Sequence, residues 1–172
     1  MSVSIDITDQ QVFAALRTFL LSILPNKTEV VQAQDNRVSM PKGGFVTMNN
    51  IGMERLSTNI DSYQSNTQGK QILTPTKFNI QLDFYGDNSP QWASQVQALF
   101  RDEYATSMFP PNIQPLFADN PVQIPLIDSE KQYEQRWKLV ASLQYNPIMS
   151  VLQQSMLDVQ IELAPIDQTF NP

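Results

Sequence analysis

Residues 76–85, TKFNIQLDFY, constrain the fold more than any other stretch of the chain. Phe78, Ile80, Leu82 and Phe84 alternate strictly with Lys77, Asn79, Gln81, Asp83 and Tyr85. A strand built from them therefore sets four large apolar side chains on one face and a polar row on the other. That is the pattern of an antiparallel strand with one face on a core and the other free of it. Residues 133–145, YEQRWKLVASLQY, repeat it. Tyr133, Trp137, Leu139, Ala141, Leu143 and Tyr145 share one face, and Arg136, Lys138, Ser142 and Gln144 share the other.

Such a sheet needs a covering layer, and two segments have helical period. In the first, Thr8 and Gln11 form a capping-box pair, Asp9 favours the positive helix end, Val12, Leu16, Leu20 and Ile23 recur at helical spacing, and Pro25 ends the run. In the second, within residues 86–105, Ser89 is placed to cap, Pro90 suits the first turn, and Trp92, Val96, Leu99, Phe100 and Tyr104 trace an apolar side.

Further strands are expected at TEVVQAQ (28–34) and GGFVTMNNIG (43–52), with PKGGF between them read as a hairpin turn. That stretch lacks the GxxxxGK[ST] spacing of a phosphate loop. MERLSTNIDSY and KQILTPTKFNIQLDFYG read as the arms of a long hairpin with the amide-rich tip QSNTQGKQ, and Pro75 predicts an edge, bend or bulge. The last strand is expected in LDVQIELAP, where Val159, Ile161 and Leu163 alternate with Gln160 and Glu162. Between the second helix and YEQRW, the proline-rich run 106–130 reads as irregular. Its Met108, Phe109, Ile113, Leu116, Phe117, Ile124, Leu126 and Ile127 argue that it lies against something rather than being solvated. The expected architecture is α+β: a mostly antiparallel β-sheet of about six strands packed with two α-helices, plus a long hairpin and a proline-rich extended segment. We expect one domain over residues 1–172.

The chain has no histidine and no cysteine. It therefore lacks the commonest general base, the commonest transition-metal ligand, thiol nucleophiles and disulfides. Asp102 and Glu103 are helix neighbours that point apart, a poor acid/base pair. Asp119, Asp128 and Glu130 lack calcium-loop spacing and are the only candidates for a hydrolase working with carboxylates alone, which needs two carboxyls roughly 5–10 Å apart. We expect no catalytic, cofactor-binding or metal-binding residues, and no enzyme.

A net charge of −6 gives no basis for tight phosphate binding. The first residues carry no signal-peptide pattern, and FAALRTFLLSIL is too short and too interrupted to span a membrane, so no membrane partner is expected. The 20 glutamines against 11 Lys plus Arg describe a surface that hydrogen-bonds while staying weakly charged, suited to contact with other protein. In YEQRW, strand alternation splits Arg136 from Trp137. Trp137 is expected in the core, while Arg136 and Glu134 share the outer face, where an exposed ion pair sets register between subunits more than it stabilises.

The ordered segments ITDQQVFAALRTFLLSILP, MERLSTNID, IQLDFYGDNSPQWASQVQALFRDEYA and PLFADNPVQIPLIDSEKQYEQRWKLVASLQYNP together resemble the neck or tail terminator proteins of contractile-tailed phages and related prophages. The insert QSNTQGKQ and the tail IDQTFNP depart from that likeness. The resemblance implies a structural virion protein of the tail or neck, assembled in the host cytoplasm and built as a small sheet flanked by helices. It would form a ring, expected to be a hexamer, at the head-proximal end of the tail. Its implied partners are further copies of itself, tail tube and sheath proteins, a neck or head-tail connector protein, and DNA only as passing cargo in the channel. The alternative within the same class is a head-completion or collar protein.

Overall fold

The computed structural model describes residues 3–33, 41, 43–64, 69–127 and 133–153. In chain order the elements are β1 (Ser4–Ile5), α1 (Asp9–Ile23), β2 (Glu29–Gln32), β3 (Phe45–Arg55), β4 (Ile60–Gln64), β5 (Gly69–Leu73) and β6 (Thr76–Tyr85). There follow α2 (Ser89–Phe100), α3 (Glu103–Met108), β7 (Ile113–Ala118), β8 (Val122–Gln123), β9 (Leu126–Ile127), β10 (Tyr133–Glu134), β11 (Arg136–Tyr145) and β12 (Ile148–Leu152).

The alternating strand β6 sits at the centre of the main sheet, ordered β2-β3-β6-β11-β7, with β8 also on β11. It pairs antiparallel with β3 on one side and with β11 on the other, through Trp137↔Phe84, Leu139↔Leu82, Ala141↔Ile80 and Leu143↔Phe78. Phe78, Ile80, Leu82 and Phe84 are fully buried, as the period-2 pattern requires. The covering layer is α1 and α2. Helix α1 starts where the Thr8 N–H donates to Gln11 Oε1 at 2.7 Å. It buries Val12, Phe13, Leu16, Phe19 and Leu20. Phe13 meets Phe78 edge to face at 5.7 Å, and Phe19 meets Phe100 of α2 at 5.7 Å, the T-shaped geometry aromatic quadrupoles favour. At the end of β6, Gly86 has φ +99 and lies against Gly44, where an added Cβ would stand 2.5 Å from the Trp92 ring. Only glycine permits this close approach of two backbones beneath a buried indole.

Several expectations are corrected. β2 and β3 run parallel, Glu29↔Phe45 to Gln32↔Met48, so PKGGF is not the turn of a hairpin. The second helix is two: α2 stops at Phe100, and Asp102 caps α3 by accepting the Tyr104 N–H at 2.9 Å. The cap of α2 is Asn88 rather than Ser89, whose hydroxyl is buried without a partner. The proline-rich run is not irregular throughout, since it contributes edge strand β7 and the short strands β8 and β9. The strand expected at 157–165, part of the hairpin tip and the tail IDQTFNP lie outside the described residues.

The long hairpin is present, and near Pro75 it bends from one sheet into another. Beyond Arg55 and Thr76 its outer part, β4 and β5, leaves the main sheet and joins β12 and β1 in a four-stranded sheet ordered β1-β12-β5-β4. The Leu56 N–H to Pro75 O bond at 2.9 Å closes the junction.

Candidate assembly surface

Among the described residues, the four-stranded sheet forms an arm without a packed helix layer of its own. Its register places Ile5, Met149, Ile72 and Asp61 in one row and Ile148, Leu73 and Ile60 in the next, on the opposite face. Every residue of β4 is exposed, and no residue of β5 or β12 is fully buried. Of the fourteen exposed large apolar residues described, eight belong to the arm or its base: Val3, Ile5, Ile51, Met53, Leu56, Ile60, Tyr63 and Leu152. That clustering around the arm and its base differs from apolar residues scattered singly over a surface. The charges of β4 and β5 cancel, Lys70 pairing with Asp61 at 2.7 Å. Such an apolar, amide-rich and nearly neutral surface has the composition of a contact with other protein.

Strand β12, residues IMSVL, was not foreseen in the sequence reading. Its β-branched residues after Pro147 were the available signal. The expected proline-rich patch divides: Phe109, Ile113 and Ala118 are buried in this chain's own core, while Met108, Leu116, Phe117 and Val122 are exposed.

At the other end of the main sheet, β9 and β10 pair beyond the start of β11. Here YEQRW resolves into its parts. Trp137 packs half-buried against the core, and Arg136 lies on the opposite face, as alternation predicts. Its partner is Asp83 rather than Glu134: Nε and Nη2 both donate to Asp83 Oδ1, at 3.1 and 3.0 Å, and Gln81 donates to Oδ2 at 2.8 Å. Asp83 is only 4% exposed, so this pair is largely withdrawn from water instead of forming an exposed rim contact. The guanidinium also lies 5.7 Å from the Tyr85 ring, which stacks on Phe45 at 4.5 Å. Burial pushes the Tyr85 phenol above its ordinary pKa, the Arg136 charge opposing and Asp83 adding to the rise. Tyr145 is raised by burial and by nearby Asp9.

Asp119 is exposed after β7, and Asp128 and Glu130 lie outside the described residues. Asp102 is occupied as a helix cap. Two shallow cavities of about 320 and 340 Å³ flank α1; Arg17 is the only titratable group among their lining residues, so neither holds a carboxylate pair. Among the described residues, no group of three or more acidic side chains could hold a metal ion, and no helix is long and apolar enough to cross a membrane.

Among curated proteins, none matches this chain. Among solved structures, the fold is similar to the sheath/tube terminator of an extracellular contractile injection system, PVC, in its extended state. The TM-score is 0.54 at 12% identity, covering 95% of this chain but 64% of that protein, so the chain spans less than two thirds of its neighbour's length. A family model described as phage neck terminator protein matches residues 10–169, which include α1 from its second residue, the main sheet and the arm apart from β1. The ordered likeness and the α+β architecture thus lead to one assignment: the chain belongs to the phage neck terminator protein family, whose members are structural components and not enzymes.

Proposed function

We propose that this protein is a tail terminator: a ring of identical copies, six in number as the resemblance implies, that sits at the head-proximal end of a contractile tail, ends tube and sheath growth, and joins the tail to the neck. One domain over residues 1–172 would serve each position of the ring. The observation that carries the reading is the arm, a four-stranded sheet that among the described residues has no helix layer packed on it, in a chain of the neck terminator family. A ring requires heterologous contacts, in which one patch meets a different patch on the next copy. The arm around residues 55–78 supplies one patch, and the exposed part of the proline-rich segment, including Met108, Leu116, Phe117 and Val122, supplies the other. Tube and sheath proteins then meet one end of the ring and the connector the other. Acidic balance suits a channel through which DNA slides without adhering.

Light scattering and electron microscopy of the purified protein, with and without tail tube, test this reading. The expected result is a closed ring that decorates one end of each tube. A strict monomer that never binds tube ends overturns it. Virions lacking the protein separate the terminator from a collar role: tails of uncontrolled length match the first, and normal tails detached from heads match the second.

A further inference from the structure

Among the described residues the main sheet ends in two edges, β2 and β7, and each meets an arginine carried by a helix. Arg17 of α1 donates its Nε to the Val30 carbonyl at 3.1 Å. Arg101, the cap residue ending α2, donates Nε and Nη2 to the Ala118 carbonyl at 3.1 and 2.7 Å. Both carbonyls turn away from the sheet. In the β2 register Ala33 is an inward residue, its N–H reaching Met48 O at 2.9 Å, so alternation turns Val30 and Gln32 outward. At β7 the Asp119 N–H turns inward to Val140 O at 2.9 Å, which leaves Ala118 outward. Pro115, within β7, adds no N–H to that edge.

An open edge is a template for another strand because its outward N–H and C=O groups lack partners. A guanidinium held on one of those carbonyls removes an acceptor and places a cation where an incoming backbone would lie. Breaking it free would also cost a charge-assisted hydrogen bond. We infer that Arg17 and Arg101 are edge latches that close both margins of the main sheet to strand addition by a second copy, leaving contacts between copies to the arm and to exposed side chains rather than to backbone pairing at a sheet edge. This goes beyond the ring reading and holds for any number of copies. A protein that ends the growth of a polymer must not itself grow sheet to sheet.

The test uses the full chain carrying Arg17→Met and Arg101→Met, which keep much of the apolar stem and remove the donors. Sedimentation velocity is expected to show the parent's discrete species replaced by species whose mass rises with concentration, while the thermal midpoint stays near the parent's. In the Arg17→Met single variant, adding Gln32→Pro removes one of the two outward N–H groups of β2 and sets a proline ring on that edge, and is expected to restore the parent distribution. A mass distribution unchanged in the double variant overturns the inference. So does growth that Gln32→Pro fails to reverse, because loosening of the fold, rather than edge pairing, would then be its source. A monomeric parent would sink the ring reading while leaving this comparison intact.

Discussion

Strands β6 and β4 belong to one hairpin and have opposite fates: β6 buries four consecutive core-facing side chains completely, whereas β4 leaves all five residues exposed, Ile60 at 60%. The body is therefore a finished object and the arm an unfinished one. In the body each apolar side chain removed from water contributes about 1.5–3 kcal/mol. In the arm the comparable area of Ile5, Ile60 and Leu152 still faces solvent in the single chain. Folding free energy belongs to the body, and under the proposed function association free energy belongs to the arm.

Substitutions in each region break or sharpen this division. Phe78→Ala removes a fully buried ring packed edge to face on Phe13 and Tyr145 at 5.7 and 5.8 Å. It is expected to cost about 3–5 kcal/mol, read by denaturant unfolding of the isolated chain. Asp83→Asn leaves the Arg136 guanidinium without its counter-charge on the polar face of the main sheet, and urea midpoints should fall by the equivalent of about 2 kcal/mol, the scale of a charged hydrogen bond. A loss well below that would show that Arg136 escapes to water, since its side chain is 23% exposed.

Alkaline pH probes the body more gently. Tyr85 and Tyr145 hold their protons above the ordinary value of 10.0, while the unfolded chain releases them near it. The native state then binds more protons in that window, so their contribution is full below pH 10 and declines as pH rises through the folded values. Unfolding midpoints measured from pH 9 upward should fall less steeply in Tyr85→Phe than in the parent. The smallest stability effect belongs to the arm. Ile60→Ser with Leu152→Ser, both on the same face of the arm sheet by register, should change unfolding free energy by no more than about 0.5 kcal/mol per site. The same pair should weaken assembly measured by light scattering, and a large loss of stability with intact assembly would reverse the division between body and arm.

The body was the legible region because its signals are local. Period 2 in 76–85 and 133–145 and period 3.6 in 9–23 follow from one face being buried, so Phe78, Leu139 and Leu16 could be placed on the core without knowing their partners. Pairing was less legible. Nothing in PKGGF says whether the strands on either side run parallel, since that depends on how residues 33–44 cross over rather than on a turn type. The break at Arg101 escaped because the apolar spacing continues through Tyr104, and only Asp102 as a cap marks the new start. The arm was read as a hairpin but not as a sheet. Its other two strands come from residues 4–5 and 148–152, and each is too short to carry a period of its own. For the candidate surface, alternation foretold that Arg136 and Trp137 part company, but the choice of Asp83 over Glu134 needed the β6–β11 register.

The continuity between the two sheets has a mechanical consequence. β3 runs on into β4, β5 into β6 and β11 into β12, with no more than four residues at any join. Tension applied to the arm along its strands reaches the body through three covalent lines at once, not through a packed interface that could slip. Within the body that tension meets the β3–β6 and β6–β11 ladders across their hydrogen bonds, which lie perpendicular to the strands and share the load side by side. A pull on the arm would thereby be resisted in shear by the whole central ladder.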